Sequence, residues 1–104
     1  MAGRKPTVVW SPQAESDLLE IWEYLAREVS TEVADRRARQ IAGACDQLQR
    51  FPFRGRPRDD LGPGLRSILS QPHVVFYRVA RDHIEIVRIL HGRRDIESVF
   101  GEED

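Results

Sequence analysis

Arginine is the residue type whose spacing in this sequence suggests chemistry. Fifteen of the sixteen basic residues are arginines, and residues 50–58 hold four of them without a single acid. A second group, Arg93 and Arg94, lies near the C-terminus. Guanidinium groups make planar, bidentate contacts with carboxylates and phosphates, so these groups predict a contact surface for an acidic peptide or a nucleic-acid backbone. Each arginine by itself is equally consistent with a solvated charge, and a GC-rich genome also favours arginine codons.

Other kinds of site find little support in the sequence. His73, His83 and His91 are far apart and have no cysteine near them, unlike the clustered ligands of a metal site. Residues 62–64 (Gly-Pro-Gly) precede a predicted strand, so they predict a turn and not a phosphate-binding loop. Cys45 falls in an apolar helical stripe and is expected to be a small core residue. We therefore expect neither a metal nor a cofactor.

The composition is that of one globular domain. The chain has 104 residues, is 40% hydrophobic and 32% charged, and carries a formal net charge of -1. We predict a single domain over residues 1–104, with flexible ends at 1–5 and 101–104. No apolar run is long enough for a membrane span and the N-terminus lacks the apolar region of a signal peptide, so we expect a cytoplasmic protein. The net charge argues against a simple nucleic-acid-binding module, which usually carries a strong basic excess.

Two helices are predicted to follow a short first strand. Thr7–Trp10 is β-branched and aromatic, and the Ser-Pro pair at 11–12 then offers an N-cap and a favourable first helical residue. Apolar residues recur at helical spacing to about Glu28, and a second stripe follows a cap at Ser30 and ends before Pro52. The members of this second stripe are Ala34, Ala38, Ile41, Cys45 and Leu48. Because the link between the helices is short, they should form an antiparallel hairpin.

The second half of the chain predicts a sheet. Residues 51–64 are rich in proline and glycine and are predicted to be irregular, with Phe51 and Phe53 packed beneath this loop. The predicted strands are Leu65–Ser70, His73–Ala80 and Ile84–Leu90. A hairpin turn is expected at 81–82 and one further helical turn at 96–100, and the last two strands have the apolar character of central strands. The order β-α-α-β-β-β indicates an α+β fold, with the helix hairpin on one face of a small, mainly antiparallel sheet.

Short blocks along nearly the whole chain resemble, in the right order, the ParE branch of the ParE/RelE toxin superfamily. These blocks are Trp10–Leu18, Arg50–Pro52, Gly55–Arg56, Gly64–Ser67, Val75–Val79 and Glu85–Asp95. The resemblance implies a helix hairpin on an antiparallel sheet, in agreement with the pattern of elements. It also implies a cognate ParD-like antitoxin, whose disordered C-terminal part folds over the toxin, and DNA gyrase as the target, through its A subunit. Contact with DNA would then be indirect, through the antitoxin or gyrase.

The RelE branch, whose members cut mRNA in the ribosome, is the alternative. Such nucleases use basic side chains and a late tyrosine to activate the ribose 2′-OH and to stabilise the charged transition state. The matching third-strand position here is Val74, the late tyrosine position is Phe100, and the second-strand basic positions fall near Leu65 and Ser67. Of that set only the arginine after the fourth strand remains, as Arg94. This pattern favours a toxin that acts by binding.

The resemblance also suggests site residues. For the target we expect a C-terminal surface and, second to it, the loop arginines; the residues are His91, Arg93, Arg94 and Asp95, then Arg54, Arg56 and Arg58. For the antitoxin we expect apolar positions of the first helix and two strand arginines; these are Leu18, Leu19, Trp22, Arg66 and Arg78. Trp22 is equally consistent with a core position. If the protein is a nuclease, His91 and Arg94 are the candidate catalytic residues.

Overall fold

The computed structural model describes residues 5–101, which form five strands, three α-helices and one short 3-10 helix. In chain order the elements are β1 (Thr7–Trp10), α1 (Pro12–Glu28), α2 (Thr31–Asp46), the 3-10 helix (Gln47–Gln49), β2 (Arg56–Pro57), β3 (Leu65–Ser70), β4 (His73–Val79), β5 (His83–His91) and α3 (Ile96–Gly101). The predictions of flexible ends at 1–4 and 102–104 lie outside the described residues.

All five strands form one sheet in the order β1-β5-β4-β3-β2. β2, β3, β4 and β5 pair antiparallel with their neighbours, and β1 alone runs parallel to β5. The predicted α+β fold with a mainly antiparallel sheet is therefore confirmed. β4 and β5 lie in the interior of the sheet, as their apolar character predicted.

The helix hairpin packs on one face of the sheet. The hydroxyl of Ser11 accepts a hydrogen bond from Ala14 N–H, and that of Ser30 accepts one from Val33 N–H, so both predicted N-caps are confirmed. Below the hairpin lies the larger core, which includes the fully buried Ala14, Ile41, Cys45, Leu48, Val75, Tyr77, Ile84 and Ile86. Burial raises the pKa of the Cys45 thiol to about 12, which agrees with a packing role.

The opposite face of the sheet is covered by α3 and by the loop near Leu61. Phe100 packs edge-on against Phe76, with 4.9 Å between the ring centroids, and Val74, Leu90 and Val99 complete this second core. The expected helical turn at 96–100 is thus present. Because both faces of the sheet are covered, β4 and β5 need apolar residues at successive positions and not at alternate ones.

Two local predictions were wrong. The second helix ends at Asp46 and passes into a 3-10 turn, before the expected limit at Pro52. The loop expected to be irregular contains the two-residue strand β2, which exists only through its pairing with Arg66 and Ser67 and has no periodicity of its own.

Candidate functional site

The N-terminal turns of α1 are hydrogen-bonded to a β-bulge in β5. Between Ile86 and Arg88 the β4–β5 register shifts, so that Val87 has no partner in β4. The Asp17 carboxylate accepts bonds from Arg88 Nε at 2.8 Å and Nη2 at 3.0 Å, and a third from Ile89 N–H at 2.9 Å. Asp17 is 8% exposed. This is a buried, bidentate ion pair that also satisfies a backbone donor at the bulge.

Ser11 contributes a second link to the same bulge. Its hydroxyl donates to the carbonyl of Val87 at 2.8 Å, and its N–H donates to the carbonyl of Ile86 at 2.9 Å. Ser11 and Asp17 belong to one of the blocks that suggested the family. They hold α1 on β5, so their role here is structural.

The block at 52–56 is held by Tyr77. The buried Tyr77 hydroxyl donates to the Pro52 carbonyl and accepts from Gly55 N–H, each at 2.8 Å. A Cβ on Gly55 would lie 2.5 Å from that hydroxyl oxygen and 2.8 Å from the Ser67 carbonyl oxygen. Close packing therefore requires glycine at position 55, and the bonds to Tyr77 fix the position of the loop.

The two strand arginines expected to meet the antitoxin are bonded within the chain. Arg66 donates to the carbonyls of Gly55 at 2.9 Å and Phe53 at 3.0 Å. Arg78 donates to the carbonyl of Pro63 at 3.1 Å. Both guanidinium groups stabilise the loop between the 3-10 helix and β3. This structural role explains the two arginines without any contact to an antitoxin.

The loop arginines lie at one edge of the sheet. Arg58 forms a bidentate ion pair with Asp60, Arg54 donates to the Gln47 side chain at 3.2 Å, and Arg56 is exposed in β2. β3 and β4 lie between β2 and β5, so β2 is three strand spacings from β5. At about 4.8 Å per spacing, the two strands are roughly 14 Å apart. The structure therefore does not join the loop arginines to the C-terminal group in one cluster.

The C-terminal group occupies the turn between β5 and α3. His91, Arg93, Arg94 and Asp95 are all exposed there. Asp95 accepts a bond from Ser98 N–H at 3.2 Å, and the His91 ring nitrogen Nδ1 accepts one from Arg93 N–H at 3.1 Å. Within residues 5–101, the guanidinium groups of Arg93 and Arg94 make no ion pair or hydrogen bond.

Two aromatic residues of the loop are exposed, and our expectation that they pack beneath it was wrong. Phe51 is 62% exposed and Phe53 is 65% exposed, although Arg66 stacks over the Phe53 ring at 5.3 Å. The buried Tyr77 lies beneath the loop and bonds to its backbone, and the phenylalanines lie at the surface.

A shallow, mainly apolar groove lies between the helix hairpin and the end of β1. The three helix residues predicted to meet the antitoxin lie together in its lining, which consists of Trp10, Glu15, Leu18, Leu19, Trp22 and Ala38. Leu19 is 56% exposed. Trp22 is half-buried and its Nε1–H donates to the carboxylate of Asp35 on α2 at 2.8 Å. Its ring is thus oriented by the hairpin while one face borders the groove.

The positions that matter for nuclease chemistry are apolar and buried. Val74 and Phe100 both belong to the second core, under α3. The part of the chain that the structure describes contains no group of three or more His, Cys, Asp or Glu side chains that could hold a metal ion.

Comparison with known proteins decides the family. The model of the ParE toxin of type II toxin-antitoxin systems, parDE, matches residues 8–96. The chain belongs to the ParE toxin family. It is 37% identical over 91 residues to Toxin ParE1 of Caulobacter vibrioides, covering 88% of this chain and 94% of that protein. It is 34% identical over 88 residues to Toxin ParE1 of Mycobacterium tuberculosis, covering 84% and 90%.

Among solved structures, a chain of the chromosomal ParDE TA system from P. aeruginosa superposes with a TM-score of 0.75. It is 25% identical and covers 86% of this chain and 98% of its own. The family assignment confirms the resemblance on which the site predictions were based. No helix within the described residues is long and apolar enough to cross a membrane.

Two groups of this ParE chain were not predicted from the sequence. The sequence did contain a sign of the Asp17–Arg88 pair, because Arg88 is the one charge in an otherwise apolar stretch, Ile86–Leu90. No sequence pattern pointed to Arg37 or His73. They come from α2 and the start of β4, and only the fold brings them beside His91 and Arg94.

Proposed function

We propose that this ParE-family chain is a binding toxin that traps DNA gyrase, through its A subunit, on cleaved DNA in the bacterial cytoplasm. The observation that supports it best is the burial of Val74 and Phe100 in an apolar core. At these two positions the ribonuclease branch carries an arginine and a tyrosine. A valine and a phenylalanine can neither transfer a proton nor stabilise developing charge. We expect no cofactor.

The target-binding surface is proposed to be the turn between β5 and α3. Arg93 and Arg94 are exposed there, and their guanidinium groups have no bonding partner within the described residues. A partner's carboxylates can therefore be bound without first breaking a native ion pair. His91 and Asp95 shape the turn through their bonds to backbone N–H groups. The loop arginines Arg54, Arg56 and Arg58 form the second, weaker candidate surface, since two of the three are already bonded.

The proposed neutralising partner is a ParD-like antitoxin, seated on the groove of the helix hairpin. The solved relative from P. aeruginosa is described as a ParDE system, and the groove here presents Leu18, Leu19 and Trp22 together. An amphipathic helix that folds on binding would fill such a groove with its apolar side. Arg66 and Arg78 are weaker candidates, because both are bonded to loop carbonyls.

The decisive experiment adds the purified chain to gyrase with supercoiled plasmid and, separately, to a translating ribosome extract. We expect stabilised plasmid cleavage and intact mRNA. Cleaved mRNA with unaffected gyrase would instead assign the chain to the nuclease branch, with His91 and Arg94 as catalytic residues. That alternative keeps some support because both side chains line one cavity.

The C-terminal surface is tested by Arg94→Ala, with Arg81→Ala as the matched control. Arg81 is also exposed in a turn, but it lies at the opposite end of β5. Arg94→Ala should fold normally and lose most of its effect on growth, whereas Arg81→Ala should remain fully toxic. Full toxicity of a soluble Arg94→Ala protein would remove Arg94 from the target surface.

The groove is tested through Trp22 fluorescence in a Trp10→Phe variant, where Trp22 is the single tryptophan that remains. Addition of the cognate antitoxin should shift the emission and protect the ring from a soluble quencher. If neither changes on complex formation, the antitoxin does not seat on this groove.

A further inference from the structure

A cavity separate from the hairpin groove lies on another side of α1, between α1, α2, the start of β4 and the end of β5. Its volume is about 330 Å³, within the usual range for small-molecule sites. One wall is apolar, with Ile21 and Leu25 from α1 and Ile89 from β5. The aromatic ring of Tyr24, 57% exposed, lies at its side. An apolar group of moderate size would be desolvated here.

The lining also contains two basic side chains. Arg37 from α2 and Arg94 from the C-terminal turn both line the cavity. The two acids of the lining are Asp17, whose charge is already matched by Arg88, and Glu20, which accepts a long bond from Ser16. Because the Asp17 charge is matched by Arg88, the cavity lining keeps two cations and one carboxylate. This net positive charge favours an anionic ligand.

Both arginines have donors to spare. Arg37 donates through Nη1 to the carbonyl of Gln71, and its other N–H groups have no partner among the described residues. The Arg94 guanidinium has no partner at all within that part of the chain. Two guanidinium groups with open donors form the standard receptor for a carboxylate.

A buried histidine gives independent support for a ligand. His73 lines the same cavity, is 7% exposed, and its Nδ1 is buried without any hydrogen-bond partner. The His91 ring meets it edge-on, with 5.6 Å between centroids. An unmet buried polar group is unfavourable, and because Nδ1 has almost no accessible surface, a ligand oxygen would satisfy this nitrogen after a rotation of the ring toward the cavity.

We propose that this cavity binds a small organic carboxylate, with its apolar body against Ile21 and Leu25 and its carboxylate held by Arg37, Arg94 and the His73 ring. The proposal goes beyond the proposed function and does not depend on gyrase being the target. Since His91 and Arg94 also form the proposed target surface, a bound carboxylate would occupy groups that the target needs. Such a site would make the toxin responsive to a small molecule.

The test uses 4-phenylbutyrate as the probe and 4-phenylbutanamide as its uncharged analogue, with isothermal titration calorimetry on the full chain at low salt. We expect saturable binding of the carboxylate in the millimolar range and binding of the amide at least about tenfold weaker, because the charged contacts are lost. Inorganic phosphate, which lacks the apolar body, should also bind more weakly than phenylbutyrate.

Two variants locate the site. Arg94→Gln should weaken phenylbutyrate binding about tenfold. Arg93→Gln, next to it in the same turn but outside the cavity, should leave binding unchanged. The absence of saturable binding, equal affinity for acid and amide, tighter binding of phosphate, or equal losses in the two variants would each overturn the proposal. A thermal unfolding curve on each variant checks that the fold is intact.

Discussion

Two groups of arginines in this protein differ in their hydrogen bonding. One group is bonded inside the fold, and the guanidinium groups of the C-terminal turn are not. Arg88 is held in a buried pair with Asp17, and Arg66 donates to two loop carbonyls. Arg93 and Arg94 have no such acceptors within the described residues. The difference comes from the backbone nearby. The loop between the 3-10 helix and β3 leaves carbonyl groups outside any ladder, whereas the turn after β5 uses its polar groups to begin α3.

This comparison shows that arginine content alone does not locate a binding surface. A guanidinium that satisfies buried or loop acceptors stabilises the chain, and its removal leaves those acceptors unpaired. A guanidinium without acceptors contributes little to stability and remains available to a partner. The predictions below test this division by the free energy of unfolding, measured in denaturant.

The largest effect is expected for Asp17→Ala. It leaves the Arg88 guanidinium without its carboxylate and Ile89 N–H without its acceptor, so the free energy of unfolding should fall by about 3 to 5 kcal/mol. Glu15→Ala, an exposed acid in the same helical turn, should cost about 0.5 kcal/mol. Similar losses for the two variants would mean that the Asp17–Arg88 pair does not hold α1 on β5.

A pH effect follows from His73, which lines the same cavity as the unbonded Arg94 guanidinium. Burial, with His91 and Arg37 nearby, lowers the pKa of His73 to about 4. The unfolded chain therefore takes up a proton near pH 6.5 that the folded chain does not, and stability falls as the pH decreases from about 6.5 to about 4. On this basis the loss is on the order of 3 kcal/mol.

The comparison needed is with His73→Phe, which keeps a ring against His91 but cannot titrate. Acidification also protonates carboxylates in both proteins, so only the difference between their curves reports on His73. We expect the variant to lose distinctly less stability between pH 7 and pH 4. Parallel curves would contradict the lowered pKa.

A smaller loss is expected for Gly55→Ala. The new methyl group would overlap the Tyr77 hydroxyl and the Ser67 carbonyl, so the loop must move and strain its bonds to Tyr77. The cost should be about 2 kcal/mol. Gly43→Ala is the control, since its added Cβ meets nothing within 4 Å and should be neutral or stabilising in the helix. Equal effects at the two glycines would show that the loop tolerates the methyl group.

The smallest effects compare the two classes of arginine directly. Arg66→Met should lose about 1 kcal/mol, because the carbonyls of Phe53 and Gly55 lose their donor at a half-exposed position. Arg93→Met should change stability by less than about 0.5 kcal/mol. If Arg93→Met is the more destabilising of the two, the division between structural and available arginines is wrong.

The main elements were predictable because each has a local cause. The helix limits at Pro12 and Glu28 follow from a Ser-Pro start and an apolar stripe that ends, and the meander follows from runs of β-branched residues around Arg81-Asp82. The strand β2 could not be predicted, since two residues carry no period. The exposure of Phe51 and Phe53 was missed for a related reason: which side chain fills the space under a loop depends on a distant residue, Tyr77.

The sequence by itself determined the order of the main elements, the ParE family and the grouping of His91, Arg93, Arg94 and Asp95. Those features depend on residues near one another in the chain. Only the tertiary structure decided which charges are bonded and which are open. Asp17 and Arg88 are 71 residues apart, and the basic cavity combines side chains from α1, α2, the start of β4 and the turn after β5. Hydrogen bonds and burial act over a few ångströms, so such groups are defined by packing.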